Sequence, residues 1–258
     1  MDESTLQQRS ERIPEEVFLG GPRRDFERVG RQCLDVLLRE GLSPSSRVLD
    51  VGAGALRVGY WLLRFLQEGR YFAIEPNREM LGVGLEQIVE PEVLARARPR
   101  FDYNDRFDFA VFGEPFDFVL ARSIWTHASK AQIAAMLSSF AATASAQGVM
   151  LATYHPASAA FSHRPRSARV RRAWTRTAEA LPLEELSPLL ARLPRLGRAR
   201  EYAGERWVGV SHESSEPGVV QHTLGWIAGA AAQHGLEARL VPYPILNDQY
   251  WLRVRRRA

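Results

Sequence analysis

The run Arg47-Val48-Leu49-Asp50-Val51-Gly52-Ala53-Gly54-Ala55-Leu56-Arg57, with Tyr71-Phe72-Ala73-Ile74-Glu75 behind it, constrains this chain more than any other part. Val48 to Val51 is a short aliphatic run of the kind that forms a parallel strand covered on both faces. Gly52 and Gly54 then allow a sharp turn and leave no side chain between the backbone and a ligand. Leu56 to Gln67 reads as a helix, with Val58, Leu62, Leu63 and Leu66 on one face and Gly69 past its end. Tyr71 to Ile74 reads as the next strand, and Glu75 at its carboxyl end lies 21 residues beyond Gly54. A carboxylate only accepts hydrogen bonds, so an acid at that place suits the two hydroxyls of a ribose. A strand, a glycine turn, a helix and a second strand ending on an acid therefore describe a nucleoside pocket.

Missing residues narrow the choice of nucleoside. The dinucleotide pattern G-x-G-x-x-G needs glycine at position 57, where this chain has Arg57. The phosphate loop G-x-x-x-x-G-K-[ST] is absent, and the one lysine of the chain, Lys130, lies far downstream.

An acid two residues before a G-x-G turn, followed by an acid ending the second strand, resembles the class I S-adenosylmethionine-dependent methyltransferases, and within them the bacterial small-molecule enzymes. Asp50, Gly52 and Gly54 match the first motif and Glu75 the ribose-binding acid. Phe116-Asp117-Phe118-Val119-Leu120-Ala121-Arg122-Ser123 is similar to the fourth motif, and Gly148 to Thr153 to the fifth. The order holds over residues 24–154. The resemblance implies an α/β fold: a Rossmann-like, doubly wound, mostly parallel sheet of about seven strands. It also implies S-adenosylmethionine as cofactor, S-adenosylhomocysteine as product, and no metal, because the fourth-motif strand runs into Arg122 and Ser123 rather than into a metal-binding acid. Carried over residue by residue, the cofactor contacts are Asp50 orienting the methionine end, Gly52, Ala53 and Gly54 in the turn, Glu75 and Pro76 at the ribose, Asp105 and Phe107 at the adenine with Asp102 as the alternative acid, and Arg122 and Ser123 after the fourth strand. One departure is Leu56, where many members carry a third glycine; its side chain is expected to narrow the methionine end of the pocket.

Methyl transfer asks a protein mainly to hold a nucleophile in line with an activated methyl group and to exclude water. A hydroxyl or ammonium acceptor also needs a base, and histidine is best poised for that near neutrality. Of the six histidines, His127 follows the fourth strand and His155 the fifth, so these two are the candidates; His163, His212, His222 and His234 lie elsewhere. Trp125 and Tyr154 are the candidate acceptor contacts. A structural hydrogen-bonding role for either histidine stays open.

The rest of the chain is organised around these motifs. Residues 1–20 are polar and aperiodic and are expected to form a flexible arm ahead of a domain spanning 21–258. Asp25 to Glu40 is expected to be a helix ended by Gly41, with Cys33 as a small buried hydrophobe. Asn77 to Val89 reads as a helix and Arg100 to Tyr103 as a third strand, and Ser129-x-x-Gln132 has the form of a capping box. A proline-interrupted segment, 155–217, follows the fifth strand and is expected to form a substrate lid with short helices near 168–179 and 184–193. A helix from Val219 to His234 and strands at Ala238 to Val241 and Tyr250 to Val254 complete the expected order.

Composition bounds the partners. With 45% apolar residues over 258 positions, the chain can bury a substantial core. No run of about 18 apolar residues occurs, and the acidic start Met1-Asp2-Glu3-Ser4 does not read as a signal peptide, so a cytoplasmic location without membrane contact is expected. The net charge of +4 is local: Phe161 to Arg200 holds ten arginines against Glu179, Glu184 and Glu185, and the remainder is net acidic. RNA methylation is disfavoured because no N-P-P-[YF]-type sequence stands in place of Ala121-Arg122-Ser123-Ile124. Expected is a small-molecule oxygen or nitrogen acceptor. Another reaction on the same cofactor, a non-catalytic binding role and a homodimer stay open.

Overall fold

The computed structural model describes residues 5–15, 17, 19, 23–157, 200–202, 212–214, 220–246 and 249–257. The expected lid, its two short helices and His163 lie outside these residues, apart from the few just named. Seven strands form one mixed sheet: β1 (Val48–Val51), β2 (Tyr71–Ile74), β3 (Arg100–Asp102), β4 (Phe116–Ala121), β5 (Ala144–Tyr154), β8 (Leu236–Leu246) and β9 (Gln249–Arg256), ordered β3-β2-β1-β4-β5-β9-β8. β1 pairs parallel with β2 and β4, and β2 with β3, whereas β9 pairs antiparallel with both β5 and β8. A separate two-stranded parallel pair joins β6 (Arg200–Tyr202) and β7 (His212–Ser214). This is the doubly wound, mostly parallel architecture expected, and the glycine turn after β1 stands where strand order reverses, between β1 and β4.

The chain divides into two compact units, residues 1–120 with 142–149, and residues 121–141 with 150–258. In the first, every residue of β1 and β2 is buried, which is why these strands read as continuous apolar runs rather than alternating ones. Helix α2 (Phe26–Arg39) buries Phe26, Val29, Gly30, Cys33, Val36 and Leu37 on one stripe and stops at Gly41, whose φ of 94° favours glycine. Helix α3 (Gly59–Phe65) begins later than the apolar run suggests, because Gly54 and Leu56 take left-handed conformations that delay regular winding. Helix α4 (Arg78–Val83) is capped by the Asn77 side chain and passes into a π-helical turn, Gly84–Ile88, so the expected single helix has a widened second half. Helix α5 (Pro91–Ala97) leads into β3.

Within the expected N-terminal arm, Leu6–Arg12 form helix α1, with a capping box between Thr5 and Gln8. Leu6 and Ile13 are buried. Arg9 is buried too, where its guanidinium donates to the Ile88 carbonyl at 3.1 Å and meets Glu90 at 2.6 Å. A buried arginine is stable only with such partners, and Glu90 is held below its usual range by Arg64 and Arg9 against the opposing cost of its burial. Polarity in this segment hid its docking.

In the second unit, helix α6 (Lys130–Thr143) opens with the expected capping box: the Ser129 N–H donates to Gln132 Oε1 at 2.8 Å and the Gln132 N–H to Ser129 Oγ at 3.2 Å. Helix α7 (Leu224–Gln233), capped by Thr223, precedes the β8-β9 hairpin. Both strands of that hairpin run longer than their apolar cores suggest.

Candidate active site

The turn after β1 is built from backbone. Gly52 and Gly54 have φ of 72° and 57°, and the Gly52 N–H donates to the Ile74 carbonyl at 2.8 Å, which ties the turn to the end of β2. Glu75 closes it. One carboxylate oxygen accepts from the Gly54 N–H at 2.8 Å and the other from the Asn77 N–H at 2.9 Å, and the side chain is 6% exposed. Each oxygen has a second lone pair, so the pinned carboxylate retains acceptor capacity for paired hydroxyls. Gly52 and Gly54 are half-buried around a buried Ala53, and Pro76 is exposed.

Beneath the turn lies Asp50, 2% exposed, accepting from the Tyr71 hydroxyl at 2.9 Å. Burial pushes Asp50 up to about 7, a rise that the Tyr71 hydrogen bond opposes and Glu75 adds to. The Tyr71 hydroxyl is itself raised by burial and by Asp50. The Asp50 carboxyl is therefore a core group held by Tyr71.

Leu56 does not narrow the pocket. With φ of 58° its fully buried side chain turns inward, where its Cδ2 lies 2.9 Å from the Cβ position of Gly59 and its Cγ 3.0 Å from that of Gly84. The Cβ position of Gly84 is also only 2.7 Å from the Ala55 carbonyl carbon, so the π-helical turn packs directly on the backbone of the glycine loop.

Around the expected adenine position, Asp105 is exposed and Phe107 half-buried with φ of 57°. Asp102, at the end of β3 and paired with Ile74, accepts from the backbone and side-chain nitrogens of Asn104 at 2.8 and 2.7 Å.

The second unit carries a different arrangement. Ser123, just past β4, has φ of 60°, and its N–H donates to Thr153 Oγ1 at 2.8 Å. Thr153 Oγ1 lies 2.7 Å from Gln249 Oε1, Ser123 Oγ lies 3.0 Å from that oxygen and 2.9 Å from Gln249 Nε2, and Arg122 Nη1 donates to Gln249 Oε1 at 2.5 Å and to Ser123 Oγ. Thr153 and Gln249 are buried, while Arg122 and Ser123 are partly exposed. Of the candidate bases, His127 is exposed in a turn closed by its N–H to the Ile124 carbonyl, and His155 is half-buried with its carbonyl accepting from the His222 N–H at 3.0 Å. Trp125 and Tyr154 are buried; the Trp125 indole Nε1 is enclosed without a hydrogen-bond partner, and the Tyr154 hydroxyl is raised by burial and by Tyr250. Neither side chain presents a surface to solvent.

Asn77, Tyr71, Gly84, Thr153 and Gln249 were not among the residues singled out by sequence. Asn77 carried a readable signal, as a helix-capping residue directly after the acid. Gln249 carried none, being 126 residues from Ser123. Among the described residues, no group of three or more His, Cys, Asp or Glu side chains forms a metal site, and no helix is long and apolar enough to cross a membrane.

No known family's sequence profile matches the chain, and no curated protein does. Solved structures match over nearly its whole length. Magnesium protoporphyrin IX methyltransferase from Synechocystis PCC 6803 with bound S-adenosylhomocysteine is 17% identical, covering 98% of this chain and 93% of that one at a TM-score of 0.55. The glycopeptide N-methyltransferase MtfA is 15% identical over 92% of this chain and 99% of its own, also at 0.55. An O-methyltransferase family protein from Burkholderia thailandensis is 14% identical over 90% and 57%, at 0.52. At these identities the shared property is the fold, that of the class I methyltransferases.

Proposed function

We propose that the protein binds S-adenosylmethionine and transfers its methyl group to an oxygen or nitrogen of a small molecule. The observation that carries this reading is the Glu75 carboxylate, buried at the end of β2 and pinned by the Gly54 and Asn77 N–H groups beside a turn that lacks side chains. Solved structures of the same fold hold this cofactor or its product, such as the Synechocystis methyltransferase and MtfA with S-adenosylmethionine bound. When bound, the cofactor supplies a methyl group already activated on a sulfonium sulfur.

The residues divide the work. Glu75 accepts the ribose hydroxyls, and Gly52, Ala53 and Gly54 admit the cofactor against bare backbone; Asp50 holds the turn from below. Asp105 and Phe107, or Asp102 for the acid, meet the adenine. His127, exposed at the end of β4, or His155 at the end of β5, takes the proton that an alcohol or ammonium acceptor must lose. Incubation with labelled S-adenosylmethionine and a metabolite panel, read by mass spectrometry, tests the reading. A protein that binds S-adenosylhomocysteine tightly and methylates nothing would be a binding protein or an enzyme of another reaction.

A further inference from the structure

The glycine loop after β1 is held from outside by two elements that press on its backbone. A Cβ at Gly30 of α2 would lie 2.4 Å from the Arg57 carbonyl oxygen, and one at Gly84 of the π-helical turn 2.7 Å from the Ala55 carbonyl carbon. Backbones packed this closely move together, so a shift of α2 or of the π-helical turn carries the peptides at 55 and 57 with it. The placement of those two elements therefore sets the shape of the loop next to Gly54.

Helix α1 joins the two. It packs against α2, against the π-helical turn and against the 3-10 turn Arg23–Asp25. On the α2 side, the Gln7 N–H donates to Glu27 Oε2 at 3.1 Å and the Glu27 N–H to Gln7 Oε1 at 3.4 Å. On the other side, the buried Arg9 donates to the carbonyl of Ile88, the last residue of the π-helical turn, and meets Glu90, whose second oxygen takes Arg64 of α3. The exit from α1 is fastened as well. Arg23 donates to the carbonyls of Ser10, Ile13, Pro14 and Val17. Arg57, in the loop itself, donates to the carbonyl of the buried Leu19 at 2.9 Å, and its guanidinium carbon lies 4.8 Å from the centre of the Phe26 ring. π-Helical turns are rare and occur mostly at functional sites. This one presents a glycine to the loop and a carbonyl to the arginine of α1.

We propose that α1 is a strap that holds the glycine loop in its cofactor-binding shape, with Arg9 and Arg57 as positioning residues, so that docking of α1 and binding of S-adenosylmethionine favour each other. Arg9 acts through Ile88 and Glu90, and Arg57 through Leu19. Coupling between two equilibria is reciprocal: an undocked strap lowers the fraction of protein competent to bind, and bound cofactor keeps the strap in place. The proposal rests on the cofactor reading above.

Hydrogen exchange of the whole protein, with and without saturating S-adenosylhomocysteine, tests the coupling in the wild type. The α1 amides at 9–12 should exchange about 5- to 50-fold more slowly with the ligand, within the usual range of coupling between sites. The turn at 43–46 ahead of β1, closed by the Ser46 N–H to the Ser43 carbonyl at 3.0 Å, should not change. Calorimetry measures the reverse effect. Arg9→Met keeps an apolar stem and removes the charge, and should raise the Kd for S-adenosylhomocysteine by a similar factor at a temperature where circular dichroism shows the variant fully folded. Arg9→Lys, which keeps the charge beside Glu90, should recover part of that loss. Arg57→Met should weaken binding too, and the double variant should bind little worse than the weaker single one, because both release the same strap. Exchange in α1 that ignores the ligand, or slows no more than the turn at 43–46, overturns the proposal. So does an Arg9→Met protein of lower stability and unchanged affinity, or a double variant whose loss is the product of the two single ones. Wild-type protein that binds neither S-adenosylmethionine nor S-adenosylhomocysteine would overturn the cofactor reading on which the proposal stands.

Discussion

The glycine turn of the first unit and the polar cluster of the second solve opposite problems. The turn offers an acceptor: a carboxylate held by two backbone N–H groups, with its partners 21 and 2 residues away. The cluster joins a guanidinium, a hydroxyl, an amide and a threonine through bonds that span 30 to 127 residues. A site made of backbone and near neighbours is tied to local chain geometry. One made of side chains from two strands and the turn after β4 exists only once the sheet has formed. The first arrangement is set by local chain geometry and the second by tertiary structure, and mutations can probe each by itself.

The largest effect should come from the second unit. His127→Ala or His155→Ala should lower kcat by about 10² to 10⁴ while leaving S-adenosylhomocysteine affinity in calorimetry nearly unchanged. Full turnover in both single variants and the double variant would mean catalysis by positioning alone and an acceptor already ionised or supplied as a free amine. In the first unit, Glu75→Ala should weaken S-adenosylhomocysteine binding by about 1.5 to 3 kcal/mol; unchanged affinity removes the ribose assignment.

Next in size is Gly84→Ala. Its Cβ would lie 2.7 Å from the Ala55 backbone, so the π-helical turn or the loop must shift, at about 1 to 3 kcal/mol in denaturant unfolding and with weaker cofactor binding. The smallest effect is a change of slope. Asp50 is raised from 3.8 to about 7 by burial, so between these values the folded state binds more protons than the unfolded one, and the stability this group contributes falls as pH rises through that window. Asp50→Asn, which still offers an oxygen to Tyr71, should flatten that decline, gaining more over wild type at pH 8 than at pH 5 in thermal unfolding. Parallel curves would show that Asp50 ionises freely in the folded state.

What the sequence disclosed follows the same division. The β1 turn, the acid after β2, the Ser129-Gln132 capping box and the succession of strands along the chain were legible because each depends on neighbours within about a turn or on strand-length patterns. Helix α1 was missed because Arg9 counts as polar until its partners Ile88 and Glu90, some eighty residues on, are known. The direction of Leu56 depends on the sign of one backbone angle, which composition does not reveal. Gln249 has no local mark at all, since its role comes from standing beside Ser123 and Thr153 in the folded sheet.

Leu56 carries one more consequence. The loop holds a leucine at a left-handed backbone angle, and the room for it comes from glycines at positions 59 and 84 on the helices facing the loop. Positions 56, 59 and 84 are therefore a coupled set: a methyl group added at 84 is tolerated only if the leucine shrinks, and a glycine restored at 56 leaves a void unless a helix glycine grows. Drift in any lineage of this protein should cross that contact in paired steps, with each single change less fit than either end state.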